Sequence, residues 1–123
     1  MTTLEVEGER VVVRFSGRHA VMALARSVSV PLASVRSATV VPDSWQVRVG
    51  WRLGGTFLPR RLAFGRFRKG QVRTFAAMYA GEPAVLLELE GDHWDRLCIA
   101  VEDAEAAVRR ITAATGQSTD AGG

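Results

Sequence analysis

No uninterrupted apolar run in this chain exceeds six residues, residues 20–25 being as long as any, and most other apolar positions alternate with polar ones in short stretches. A helix that crosses a bilayer needs about 20 consecutive apolar residues, so none is written here. Strict alternation marks a strand with one face on a core and the other in water. The chain therefore reads as short strands separated by turns, the pattern of a β-sandwich or barrel.

Leu4 and Val6 alternate with Glu5 and Glu7, and Gly8-Glu9 forms a hairpin turn into a strand over residues 10–15. Val11, Val13 and Phe15 lie on one face of that strand. Ser16 is placed to cap a short helix, within which Val21, Leu24, Ala25 and Val28 fall at helical spacing. Residues 28–30 and 35–41 read as strand pieces around a turn at 31–34, because Pro31 cannot donate to a ladder. Pro42-Asp43 marks a further turn. Residues 45–51 carry two readings. Trp45, Val47, Val49 and Trp51 alternate as in a strand, yet Gly50 weakens strand and helix alike. Residues 54–59 read as a loop, 62–67 as a strand, 68–71 as a turn and 72–78 as the antiparallel partner. Strands at 84–89 and 94–101 follow, with turns at 81–83 and 90–92.

The last element is a helix. Asp103 is its N-cap, Glu105 stands in its first turn and Arg109-Arg110 in its last, so each charge complements the helix dipole at its end. Ala104, Ala107, Val108 and Ile111 make its apolar stripe, and Gly116 stops it. A chain of 123 residues is the size of one domain and buries a core without disulfides or metals. A single domain over residues 4–116 is expected, followed by a polar tail at 117–123.

Charge is segregated along the chain. Residues 1–9 carry Glu5, Glu7 and Glu9 and no basic residue; residues 10–73 carry twelve arginines and Lys69 against Asp43 alone; residues 82–123 carry nine acids against three arginines. Arginine makes planar, forked contacts to phosphates and carboxylates that lysine cannot copy. Cys98 is the single cysteine, so no internal disulfide forms. The N-terminus has no basic start with an apolar run behind it, so no signal peptide is expected. The expected location is cytoplasmic, with a peripheral position at the membrane open to it.

Three local patterns carry a resemblance. The first is Val30-Pro31-Leu32-Ala33-Ser34-Val35-Arg36-Ser37-Ala38, a strand, a turn and a strand. The second is Gly55-Thr56-Phe57-Leu58-Pro59 leading to Leu62-Ala63-Phe64-Gly65-Arg66-Phe67. The third is Leu87-Glu88-Leu89, then a Trp-containing turn, then Arg96-Leu97-Cys98-Ile99-Ala100-Val101-Glu102-Asp103, a strand entering an acidic helix cap. In this order, over roughly residues 4–112, the chain resembles the bacterial pleckstrin-homology-like (PH-like) domains. The resemblance implies a mostly β, α+β fold: a bent barrel of about seven antiparallel strands capped by a C-terminal helix. It also implies a binding module whose ligand the shape does not fix. Relatives that bind phosphoinositides use a basic first hairpin, whereas Glu7-Gly8-Glu9 is acidic here, so that ligand does not carry over.

Arg60, Arg61, Arg66, Arg68, Lys69 and Arg73 flank one predicted hairpin and form the main candidate site. Such a cluster attracts anionic lipid or nucleic acid; equally, its arginines can pair with the acidic C-terminal third. Trp51 and Arg52 join the candidates, because tryptophan with arginine is the composition of interface hot spots and an edge strand there would pair with another chain. The spacing Gly65 to Gly70 lacks the lysine of a phosphate-binding loop, Gln71 standing in its place. Phe64 and Phe67 fall on opposite strand faces, which suits a core better than base stacking. His19, His93 and the cluster Asp92-His93-Trp94-Asp95 supply no catalytic or metal constellation. The expectation is a non-enzyme without cofactor or metal that binds a protein or itself; anionic membrane is the alternative, with nucleic acid ranked below it.

Overall fold

The computed structural model describes residues 2–116 of the chain. The tail expected at 117–123 lies outside the described residues. Nine strands and two α-helices follow in order: β1 (Thr2–Glu7), β2 (Arg10–Phe15), α1 (Arg18–Ala23), β3 (Ser27–Pro31), β4 (Val35–Val41), β5 (Trp51–Leu58), β6 (Leu62–Lys69), β7 (Val72–Tyr79), β8 (Ala84–Leu89), β9 (Arg96–Ile99) and α2 (Ala104–Thr115). Short 3-10 turns at Leu32–Ser34 and Ser44–Gln46 join β3 to β4 and lead towards β5.

The strands form a three-stranded sheet, β1-β2-β3, and a six-stranded sheet, β4-β8-β9-β7-β6-β5. No ladder joins the two sheets among the described residues, so the expected barrel of about seven antiparallel strands is corrected to nine strands in an open pair of sheets. One pairing is parallel. The β8–β9 hairpin folds back so that β9 slots between β8 and β7, with Phe75 beside Leu97 and Ala76 beside Cys98.

The alternation of β6 and β7 divides the core in two. Leu62, Phe64, Phe75 and Ala77 face the small sheet, where Phe15 stacks on Phe75 with ring centroids 5.7 Å apart. Val11, Val13 and Val30 complete that layer from the small sheet. Ala63, Phe67, Ala76 and Met78 point the other way, into a second cluster. Among the described residues a strap covers this reverse face: residues 44–50, whose Trp45, Val47 and Val49 lie on the sheet. Fully burying Phe64, Phe67 or Phe75 stabilises the fold by about 2–3 kcal/mol each.

The strap settles the two readings of residues 45–51. Asp43 caps the 3-10 turn by accepting from the Trp45 N–H at 2.9 Å, Val47 and Val49 are buried, and Trp51 starts β5 with 84% of its surface exposed. Arg96 pins the strap, donating to the Arg48 carbonyl oxygen at 2.6 Å.

The loop expected at 54–59 is instead most of β5. Its glycines allow close approach: Gly55 stands opposite Gly65, both with positive φ (108° and 125°), and a Cβ on either would collide with backbone of the facing strand. The first helix is also corrected. Gly17, not Ser16, is its N-cap; it ends at Ala23, and Val28 belongs to β3. Ala20 and Ala23 face the core while Val21 and Leu24 are 72% and 62% exposed.

At the other end Asp103 caps α2 as expected, accepting from the Ala106 N–H at 3.0 Å, and Gly116 closes it in the left-handed conformation. Because α2 continues to Thr115, Arg109 and Arg110 sit mid-helix and not in its last turn. Ala104, Ala107 and Ile111 are buried against β1, β4 and β8.

Candidate interaction surface

β5, β6 and β7 position every candidate residue. Direct cross-strand partners share a face, so Arg68 and Arg73 lie on the small-sheet side together with Arg66, whereas Trp51, opposite Arg68 at the start of β5, also lines the groove on the strap side. Arg52, opposite Phe67, lies on the strap side with Lys69. Arg60 and Arg61 occupy the β5–β6 turn, at the far end of β6 from Lys69. The six cations grouped by sequence are thus divided between two faces and two ends of one ribbon, because adjacent strand residues point in opposite directions.

One groove reunites part of the set. On the strap side, Arg48, Arg60 and Lys69 rim a trough floored by Trp45 and Phe57, whose rings lie parallel (4°) with centroids 6.0 Å apart. Arg60 holds φ at 64°, a left-handed position that costs a non-glycine residue on the order of 1 kcal/mol. Arg48 was missed from sequence because it stands between two core valines. Its only signal was to be the polar member of the alternating run Val47-Arg48-Val49.

The pairing of these arginines with the acidic third is limited. Arg73 takes part: its Nε lies 3.7 Å from Asp95 Oδ2, and its backbone N–H donates to the same carboxylate at 2.8 Å. Arg36 pairs with Glu90, and Arg14 pairs with Glu7, which lowers the Glu7 carboxyl through hydrogen bonding. Arg68 donates to the Gly70 carbonyl oxygen at 2.8 Å. Among the described residues, Arg52, Arg60, Arg61, Arg66, Arg68 and Lys69 are exposed and make no ion pair. They surround β5, which ends the six-stranded sheet and has no strand on its outer side. Trp51, Leu53 and Leu58 of that edge are 84%, 62% and 45% exposed.

A second polar arrangement escaped the sequence. His19 Nδ1 lies 2.7 Å from Thr2 Oγ1, and His19 Nε2 lies 2.8 Å from the Tyr79 hydroxyl. Burial lowers the imidazole pKa and raises that of the phenol. Residues this far apart in sequence meet only because α1 folds over β6 and β7. The chain of bonds joins three elements at the floor of an open cleft and holds no carboxylate or thiol partner for the imidazole. Cys98 is fully buried, and burial pushes its thiol up to about 12, so it is no nucleophile. His93 packs edge-on against Trp94 in the β8–β9 turn, where the Asp92 side chain accepts from the Trp94 N–H at 3.3 Å. Among the described residues no group of three His, Cys, Asp or Glu is placed to hold a metal, and no helix is long and apolar enough to cross a membrane. Compared with known proteins, the chain matches no family model, no curated protein and no solved structure.

Proposed function

We propose that the chain is a non-enzymatic, cytoplasmic binding module of the PH-like type, its two sheets standing for the halves of a bent barrel left open along both seams. Its partner is a protein segment of acidic character, a second copy of the chain included, and the contact surface is β5 with its flanking cations. One observation carries the reading: six exposed cations without ion pairs surround an unpaired edge strand whose Trp51 is 84% exposed. Tryptophan and arginine dominate binding energy at interfaces, and an open edge offers backbone hydrogen bonds to an extended chain.

The test is fluorescence anisotropy of a labelled peptide that alternates leucine or valine with glutamate, in parallel with vesicles of anionic phospholipid and a single-stranded RNA. Peptide binding that Trp51→Ala and Arg52→Glu each weaken at least about tenfold supports the reading. Binding to vesicles or RNA without the peptide replaces the protein partner by the membrane or nucleic-acid alternative that the same cations serve.

A further inference from the structure

An open pair of sheets has four edges, and they are protected unequally. β3 ends in Pro31, and Arg10 donates to its Ser29 carbonyl oxygen at 3.3 Å. α2 packs along β4, which also carries an irregularity between Val35 and Ser37. β5 too carries an irregularity, between Arg52 and Gly54, and α1 shields it only in part, the Thr56 hydroxyl donating to the Met22 carbonyl oxygen at 3.0 Å. It is eight residues long, contains no proline, carries Arg52 as its one charge, and exposes three large apolar side chains. Edges of this kind pair with other chains unless they are blocked.

The fourth edge, β1, is its counterpart. Its residues alternate Leu4 and Val6 with Glu5 and Glu7, and Glu9 follows in the turn. Its outer side runs along an open cleft whose far wall includes Glu82, Glu102 and Asp103. α2 touches that edge, where Arg110 reaches the Leu4 carbonyl oxygen at 3.5 Å; His19 bonds to the Thr2 hydroxyl, and Arg14 pairs with Glu7. One edge of the molecule is thus basic and apolar, and the other acidic, with both left without a partner strand.

We infer that β5 of one copy pairs with β1 of the next, so that the chain assembles head to tail. The inference rests on the reading of β5 as a protein-binding edge and names its partner as a second copy. Charge decides between the possible pairings. Joining β5 to β5 brings the six unpaired cations of each copy together, and joining β1 to β1 opposes Glu5 and Glu7 to themselves. Only β5 against β1 sets opposite charges across the contact and covers Trp51 and Leu53. Such a contact is heterologous: each added copy leaves one free β5 and one free β1, so the assembly lengthens with concentration. Its electrostatic part is screened when the Debye length falls from about 30 Å at 0.01 M salt towards about 3 Å at 1 M.

The test measures molar mass by light scattering across concentration at about 0.02 M and about 0.5 M salt. The wild-type chain is expected to exceed its monomer mass of 13.4 kDa at low salt and to return to it at high salt. Arg52→Glu and Glu5→Arg, both on exposed side chains, each weaken assembly at least about tenfold, and the two together in one chain restore it. Far-UV circular dichroism checks that each variant is folded, and Leu53→Lys tests the same edge by a different side chain. A wild-type monomer at low salt overturns the edge pairing while the peptide titration still judges the binding module. Assembly that ignores both charge reversals and Leu53→Lys overturns the pairing while leaving self-association in place.

Discussion

Two adjacent glycines in β5 should respond to alanine with opposite sign. Gly55 has φ at 108°, and a Cβ there meets the backbone of Phe64 and Gly65 in the facing strand. Gly54 has no positive φ, and nothing lies within 4 Å of its Cβ position. Forcing an L-residue into the Gly55 conformation costs about 1–3 kcal/mol. The strands must also separate locally, and each ladder hydrogen bond lost adds about 0.5–1.5 kcal/mol. Gly55→Ala is therefore expected to destabilise by about 3–4 kcal/mol, a large share of the 5–15 kcal/mol typical of a domain. Gly54→Ala instead narrows the freedom of the unfolded chain and adds about 0.4–1 kcal/mol of stability. Urea midpoints for both variants, fitted with a common slope, give the two numbers; thermal melting should fall by on the order of 10 °C for Gly55→Ala. Equal midpoints, or a loss at Gly54 matching that at Gly55, would refute the close-approach argument and with it the register of β5 on β6.

Ile111 is fully buried where α2 meets the sheets, so Ile111→Ala should cost about 2–5 kcal/mol in urea unfolding, and a loss under 1 kcal/mol would mean that α2 is not docked there. Cys98, with no exposed surface and a thiol pushed up to about 12, should react with a disulfide reagent at mild alkaline pH only as fast as the protein unfolds; a prompt reaction refutes its burial. Burial holds His19 below its ordinary value of 6.5, so the unfolded chain binds the proton first as pH falls. Stability is therefore full above about pH 6.5, declines as pH drops from there towards the lower folded value, and levels off below it. His19→Gln should remove that slope, and an unchanged slope assigns it to other groups.

Local rules carried most of the strand pattern. β2, β4 and β8 lie where alternation placed them, and the Asp103 cap and Gly116 stop were legible because capping depends on neighbours in sequence. Errors arose where a residue serves a distant contact. Gly54 and Gly55 look like loop residues until Gly65 is known to stand across from them. Val21 and Leu24 have helical spacing, but α1 turns Ala20, Met22 and Ala23 to the core instead. The candidate surface was legible in composition and not in geometry. Arg66, Arg68 and Lys69 are close in sequence, yet strand alternation puts Lys69 on the face opposite Arg66 and Arg68. Arg48 and Arg60 line one groove with Lys69 because the strap returns to the sheet.

The position of the cations follows from how far each covering layer extends. On the small-sheet side, coverage of β6 and β7 ends with Phe64 and Phe75, and the next residues outward on that face are Arg66, Arg68 and Arg73. On the reverse side the strap reaches one step further. Val49 joins Phe67 in the second cluster, and Lys69 is the first residue beyond. Ala63, Ala76, Ala84 and Cys98 keep that face low enough for seven residues of irregular chain to cover it. The ribbon of β5, β6 and β7 thus projects past both layers, and its sequence changes from apolar on two faces to basic on two faces where cover stops. A projecting end needs polar residues merely to remain soluble, and acidic side chains would serve that need equally well. The charges at this end are mostly basic, Asp95 beside Arg73 being an exception, and they stand beside an edge strand and an exposed tryptophan while acids collect along β1 and beside its cleft; that distribution fits the proposed contact with an acidic strand.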